Sequence, residues 1–267
     1  MEQDVFREVF SWSQPRGNIN RNFVNALTLA AIEKSFTQLI PASERYMNQT
    51  LKPNQHLIVL AGNIGSGKTS LTQQLSQHFG WEASYESVDN NPYLADFYAD
   101  MRTWAFHLQM YFLGNRAQEV ETLLSSGCSA IMDRSIYEDA HIFVRALHEM
   151  NNLSDRDYHA YFKLYELVLR QLPKPSLLIR LVAPVETLVE RIQQRARSIE
   201  DTIDPDYLRL LDSYYQQWAA EYAESPVLTV NSQLFDFVNT PLHLGEIING
   251  IEHCLSTNSS LSLSTPA

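Results

Sequence analysis

The sequence predicts an α/β protein in which a five-stranded parallel sheet carries helices on both faces. Three observations lead there. Short apolar runs alternate with longer stretches of helical periodicity, the pattern of strand-helix-strand crossovers. Of nine glycines, three (Gly62, Gly65 and Gly67) fall within six positions directly after an apolar run, so one turn of backbone carries a special geometric demand. Hydrophobic residues make up 45% and charged residues 19% of the 267, ordinary globular usage that supports a substantial core and excludes a fibrous chain.

The first strand is expected over His56–Gly62, HLIVLAG, apolar throughout as a strand buried on both faces must be. Leu71, Leu75 and Phe79 then recur at helical spacing until Gly80, a residue type that stops helices. Further strands are predicted at Ala83–Val88, Ser129–Asp133, Leu177–Ala183 and Val227–Val230. Between them helices are predicted from Trp104 to about Ser125 before Gly127, from Asp139 to Met150, and from Asp155 to Leu172 ahead of Pro173 and Pro175. A fourth runs from Pro184 to about Arg197, with Val185, Leu188, Val189 and Ile192 on its buried face. The fifth, Asp204 to Glu224, opens on a capping aspartate with Pro205 at the first helical position. Residues 1–54 are slightly positive beside an acidic remainder and are expected to form a helical N-terminal arm, with a helix from about Arg21 to Ile40. A main domain is expected over 55–255, followed by a disordered Ser/Thr-rich tail over 256–267.

Composition excludes several function classes. Twenty Lys and Arg against 31 Asp and Glu give a net charge of −11, so a nucleic-acid surface would work against the field of the whole molecule. A small molecule is the expected partner. Cys128 and Cys254 are the only cysteines, too few for a disulfide framework and suited to a reducing compartment. The eight histidines form no H-E-x-x-H or Cys/His cluster, which argues against a zinc site. No apolar run approaches the ~18 residues of a membrane span, and the acidic start Met-Glu-Gln-Asp is unlike a signal or transit peptide. The expected location is the cytoplasm.

Residues Gly62 to Thr69, GNIGSGKT, match G-x-x-x-x-G-K-[ST] in full, between a predicted strand and a predicted helix. Gly62, Asn63, Ile64, Gly65, Ser66, Gly67, Lys68, Thr69 and the following Ser70 are therefore the expected nucleotide cradle. Glycines let backbone N–H groups converge on phosphate oxygens and the helix N-terminus adds positive potential. Lys68 reaches the β- and γ-phosphates, and Thr69 offers its hydroxyl to Mg²⁺. No N/T-K-x-D segment for reading guanine exists, which argues against a GTPase and leaves ATP-dependent transfer to a small acceptor or an ATPase module. Asp133 closes the third strand as a metal-holding carboxylate would, and Arg134 follows it at once. Arg191, Arg195 and Arg197 fall within seven residues, the first two on one helix face. Beside a phosphate site they predict a cationic lid that neutralises charge on a transferred phosphoryl group.

Four segments then point to a family. YESVDNNPYLADFY (Tyr85 to Tyr98), FHLQMYFLGNRAQ (Phe106 to Gln118), DRSIYEDAHIF (Asp133 to Phe143) and RIQQRARSIED (Arg191 to Asp201) resemble the successive signatures of the deoxynucleoside kinases. The resemblance runs from about His56 to Tyr222, and DNNPYL is most similar to the bacterial deoxyadenosine/deoxyguanosine kinase branch. It implies a P-loop kinase fold with an Arg-rich lid, a homodimer, and ATP-dependent phosphorylation of a deoxynucleoside 5′-hydroxyl with Mg²⁺ at Thr69 and Asp133. It implies that Glu86 is the general base and that Arg134 holds the hydroxyl and the phosphoryl group, with Lys68, Arg195 and Arg197 completing the catalytic set. Arg191 and Arg195 fall to the donor, and Tyr98 and Glu200 to the sugar 3′-hydroxyl. Gln109 and Asp139 read the base edge, Arg116 orients Asp139, and Phe143 stacks on the base.

Elementary chemistry agrees with these roles. An acceptor hydroxyl needs a carboxylate within reach, and an amide beside a carboxylate suits a base with an exocyclic amine. Where animal deoxycytidine kinases carry an aromatic shortly after the general base, this chain has Asn90-Asn91-Pro92-Tyr93. Their preference is therefore not carried over; deoxyadenosine is the expected substrate, in purine deoxynucleoside salvage, with deoxyguanosine or deoxycytidine as alternatives. A nucleoside monophosphate kinase would need further cations for an acceptor phosphate. A non-catalytic ATP-binding regulator would need neither Glu86 nor the lid arginines. Residues 1–54 and the final tail lie outside the resemblance, and Met47 is where a family member is expected to begin.

Overall fold

The computed structural model describes residues 50–85, 91–195 and 203–266. Its centre is β1, Leu57–Ala61, buried along its whole length. Side chains alternate across a strand, and β1 obeys this strictly: Leu57, Val59 and Ala61 enter one hydrophobic cluster while Ile58 and Leu60 enter the other. Such a strand has no solvent face, which is why its sequence is apolar without alternation.

Around β1 the sheet has the order β2-β3-β1-β4-β5-β6, every neighbouring pair parallel. Its other strands are β2 (Glu82–Ser84), β3 (Ala130–Asp133), β4 (Leu177–Val182), β5 (Val227–Asn231) and β6 (Leu261–Leu263). Six strands replace the five expected. The additional one, β6, lies in the segment expected to be a disordered tail. Composition hides it: Leu261 and Leu263 alternate with Ser262, and both leucines pack against the second core cluster while the strand pairs with β5.

The first helix, α1 (Lys68–Phe79), ends at Gly80 as predicted; that residue sits at φ 66°, and its N–H returns to the Ser76 carbonyl. Helices α2 (Leu94–Ala99) and α3 (Met101–Ser126) follow β2, and Gly127 closes α3. After β3 comes α4, made of Ile136–Glu138, a π-helical stretch Asp139–Val144 and Arg145–Glu149. It begins three residues before the predicted start because Ser135 and Glu138 form a capping box. Then come α5 (Asp155–Leu169), α6 (Val185–Arg195), α7 (Pro205–Glu221) and α8 (Pro241–Thr257). Neither α2 nor α8 is expected from the sequence. Helices α3, α4, α5 and α7 bury the first cluster against one sheet face, and α1 and α8 the second against the other.

Among the described residues no helix is long and apolar enough to cross a membrane. The predicted N-terminal helix lies outside the described residues, as do the later part of the predicted second strand and the end of the predicted lid helix.

Candidate active site

Parallel strands present their carboxyl ends to one edge of the sheet, where ligands of open α/β folds bind. β1 ends there at Ala61 and hands the chain to the glycine turn. Gly62 passes so close to β4 that a Cβ would lie 2.7 Å from the Leu181 carbonyl oxygen. Gly67, at φ 99°, turns the chain left-handed into α1. Lys68 is 6% exposed, and its ammonium donates to the carbonyls of Gly62 (2.7 Å) and Asn63 (3.1 Å). The Asn63 side chain is committed elsewhere, donating to the Leu208 carbonyl on α7 at 2.9 Å. From α1 the Thr69 hydroxyl donates to Asp133 Oδ2 at 2.5 Å, which brings the two predicted metal ligands together. A hydroxyl and a buried carboxylate beside a phosphate cradle are hard oxygen donors and fit Mg²⁺.

These groups open onto a cleft of about 1330 Å³, larger than a single drug-sized ligand requires. At one end it is lined by Gly65, Gly67, Lys68, Thr69 and Ser70, with Arg191 and Arg195 from α6. At the other stand Tyr98, Gln109, Asp139 and Phe143. Arg134 lies between them at φ 83°, its guanidinium 4.8 Å from the Phe143 ring centroid. Arg116 is buried behind Asp139, with Nε 3.3 Å from Asp139 Oδ2, and its Nη1 meets Glu119 at 3.3 Å. Glu119 in turn accepts from the hydroxyl of Ser84, the last residue of β2. Gln109 Oε1 is buried and has no hydrogen-bond partner among the described residues. A buried amide oxygen left this way is an acceptor that awaits a donor from the cleft. Glu86, Arg197 and Glu200 lie outside the described residues.

Arg191 is more than a loose lid residue. Its guanidinium donates to the Ser66 carbonyl and to the hydroxyl and carbonyl of Ser232, the last at 2.6 Å. It thus ties α6 to the glycine turn and to the loop after β5.

A family model for deoxynucleoside kinases matches residues 58–256. The chain belongs to the deoxynucleoside kinase family. The deoxyadenosine/deoxycytidine kinase of Bacillus subtilis is 35% identical over 208 residues, covering 77% of this chain and 96% of that one. A deoxyguanosine kinase of Lactobacillus johnsonii is 36% identical over 204 residues, covering 73% and 90%. Among solved structures, the deoxyadenosine kinase of M. mycoides with products dCMP and a flexible dCDP bound matches with a TM-score of 0.66 at 26% identity. That match covers 74% of this chain and 99% of the other.

This deoxynucleoside kinase therefore has the P-loop kinase fold and phosphorylates a deoxynucleoside. Several cleft residues were not legible in the sequence. Tyr207, Ser232 and the loop 235–239 line the kinase cleft without any motif to mark them. Glu138, fully buried under the glycine turn, did carry a signal, the S-x-x-E capping pattern, but that pattern speaks only of a helix start. Burial pushes the Glu138 carboxyl up from its usual range, opposed by the nearby charges of Arg134 and Lys68.

Proposed function

We propose that this kinase transfers the γ-phosphoryl group of ATP to the 5′-hydroxyl of deoxyadenosine, giving the monophosphate. The observation that carries the reading is the single cleft with a phosphate cradle at one end and Gln109 and Asp139 at the other. In the proposed step Glu86 takes the proton of the 5′-hydroxyl, the new bond forms between that oxygen and the γ-phosphorus, and the bond to the β-phosphate oxygen breaks, releasing ADP. Thr69 and Asp133 would hold Mg²⁺, which when bound would supply positive charge to the phosphates. Lys68, Arg134, Arg195 and Arg197 stabilise the charge that spreads over the transferred group.

At the acceptor end Tyr98 and Glu200 hold the sugar 3′-hydroxyl and Phe143 stacks on the base. Gln109 Oε1 accepts from the exocyclic amine, and Asp139, held by Arg116, meets the same base edge. Thymine has no exocyclic amine and is disfavoured. The names of the relatives above support adenine, guanine and cytosine nucleosides, and the bacterial Asn90-Asn91-Pro92-Tyr93 pattern favours a purine. Family resemblance further supports a cytoplasmic homodimer.

A coupled assay over four deoxynucleosides, with ATP and GTP as donors, tests the reading. Deoxyadenosine with ATP is expected to give the highest kcat/KM, and thymidine the lowest. Glu86→Gln is expected to lower kcat by roughly 10² or more while ATP still binds. A thymidine-preferring enzyme, or a Glu86→Gln enzyme of ordinary kcat, would overturn it.

A further inference from the structure

Among the described residues Glu138 is a fully buried carboxylate that none of the steps above employs. Taking a carboxylate out of water costs several kcal/mol, so its surroundings need an explanation. They come from three separate parts of the chain. Its Oε1 accepts from the N–H of Gly62 at 3.2 Å and from the Tyr215 hydroxyl on α7 at 2.7 Å. Its Oε2 accepts from the N–H of Ser135 at 3.1 Å. The guanidinium of Arg134 lies 3.7 Å from Oε1.

The bonded groups are not arbitrary. Gly62 is the first residue of the phosphate cradle, and its carbonyl holds the Lys68 ammonium. Arg134 and Ser135 follow the end of β3, beside the metal-holding Asp133. The Tyr215 hydroxyl also lies 2.9 Å from the Gly62 carbonyl. A neutral capping residue could complete the first turn of α4 equally well, since Ser135 needs only an acceptor. Only a carboxylate can also answer the arginine's charge.

We propose that Glu138 is a positioning residue for phosphoryl transfer: one carboxylate fixes Gly62 and Arg134 relative to each other, so that the cradle and the arginine form one preorganised wall. The hydrogen bonds from Gly62, Ser135 and Tyr215 to the carboxylate are charge-assisted and strong, the Arg134 guanidinium is held by the 3.7 Å ion pair, and preorganised groups cost no reorganisation when the reaction occurs. Glu138 acts through Arg134 and touches neither substrate. The inference rests on the role given to Arg134 above.

Kinetics on the full chain test it. Glu138→Gln keeps the shape and one acceptor oxygen, replaces the other oxygen by an NH₂ donor, and removes the charge. The expected result is a kcat lowered at least tenfold, with the deoxynucleoside KM within about twofold of wild type. Arg134→Ala alone is expected to be slow, and Glu138→Gln in that background is expected to add no further loss, because the group it serves is gone. A merely structural Glu138 would lower activity and melting temperature together, and its loss would multiply with that of Arg134→Ala. That outcome, or a Glu138→Gln enzyme within twofold of wild-type kcat, overturns the inference. Should Glu138→Gln not fold, Tyr215→Phe removes a donor from the same carboxylate oxygen: a several-fold fall in kcat supports the inference and an unchanged kcat overturns it. If Arg134→Ala itself is near wild type, the role of Arg134 fails first and this inference with it, whatever Glu138→Gln does.

Discussion

Gln109 carries the plainest demand of any polar side chain in the cleft. Its amide oxygen is buried without a partner among the described residues, and a buried acceptor left unsatisfied costs roughly 1–3 kcal/mol. A ligand that donates a hydrogen bond there removes that cost on binding. Gln109→Leu is therefore expected to leave the melting temperature unchanged or raised, since the leucine has no acceptor to strand. Activity moves the other way: a site built to bond a donor discriminates by orders of magnitude against losing it. The expected loss in kcat/KM for deoxyadenosine is about 10² or more, with thymidine changed much less. Calorimetry and a two-substrate assay on the same preparation check both halves.

The helix that carries Asp139 is irregular from that residue onward. α4 widens to π-helical geometry over Asp139–Val144. Within this stretch, of a kind frequent at functional sites, His141 packs edge-on to Phe162 and Tyr165 and shares a hydrogen bond with the Tyr165 hydroxyl. Burial holds the His141 pKa below its ordinary value; Glu221 opposes the shift and Arg145 adds to it. Below the unfolded value of about 6.5 the unfolded chain takes up a proton that the folded chain declines. Stability thus falls as pH drops from about 6.5 through the depressed folded value. Melting temperatures at pH 7.5 and 5.5 are expected to fall further apart in the wild type than in His141→Asn.

Elements also show why only part of the molecule can be read in advance. The glycine turn is legible because its geometry admits few residue types, and β1 because burial on both faces forces a continuous apolar run. β6 is invisible to composition, since two half-buried leucines among serines look like a tail. Glu138 draws its role from Gly62 and Tyr215, each more than seventy residues away in sequence, and no local pattern encodes such a meeting. The loop 235–239 reaches the cleft because β5 adjoins β4, a fact of sheet order.

For the molecule as a whole, the glycine turn, Arg134 and the cleft residues Gln109 and Asp139 all sit within the segment that the family model covers, residues 58–256. None of the site residues named from sequence lies ahead of Gly62. A protein from Met47 to Ala267 is expected to fold and to phosphorylate deoxyadenosine with a kcat/KM within about threefold of the full chain, under ~1 kcal/mol of transition-state binding. Side-by-side kinetics decide the matter: an insoluble or inactive shortened protein would assign residues 1–46 a part in the core or the site.

Arg134 has one more consequence. A side chain at φ 83° sits where L-residues are disfavoured by roughly 1–2 kcal/mol, so the chain forgoes stability at the residue proposed to hold the phosphoryl group. Comparing Arg134→Ala with Arg134→Gly isolates that sacrifice, because both variants lose the guanidinium and differ only in a Cβ. The glycine enzyme is expected to melt a few degrees higher than the alanine enzyme, with both equally slow. Selection for durability alone would have favoured glycine at this position; under the proposed role of Arg134, the arginine records a compromise between endurance and turnover.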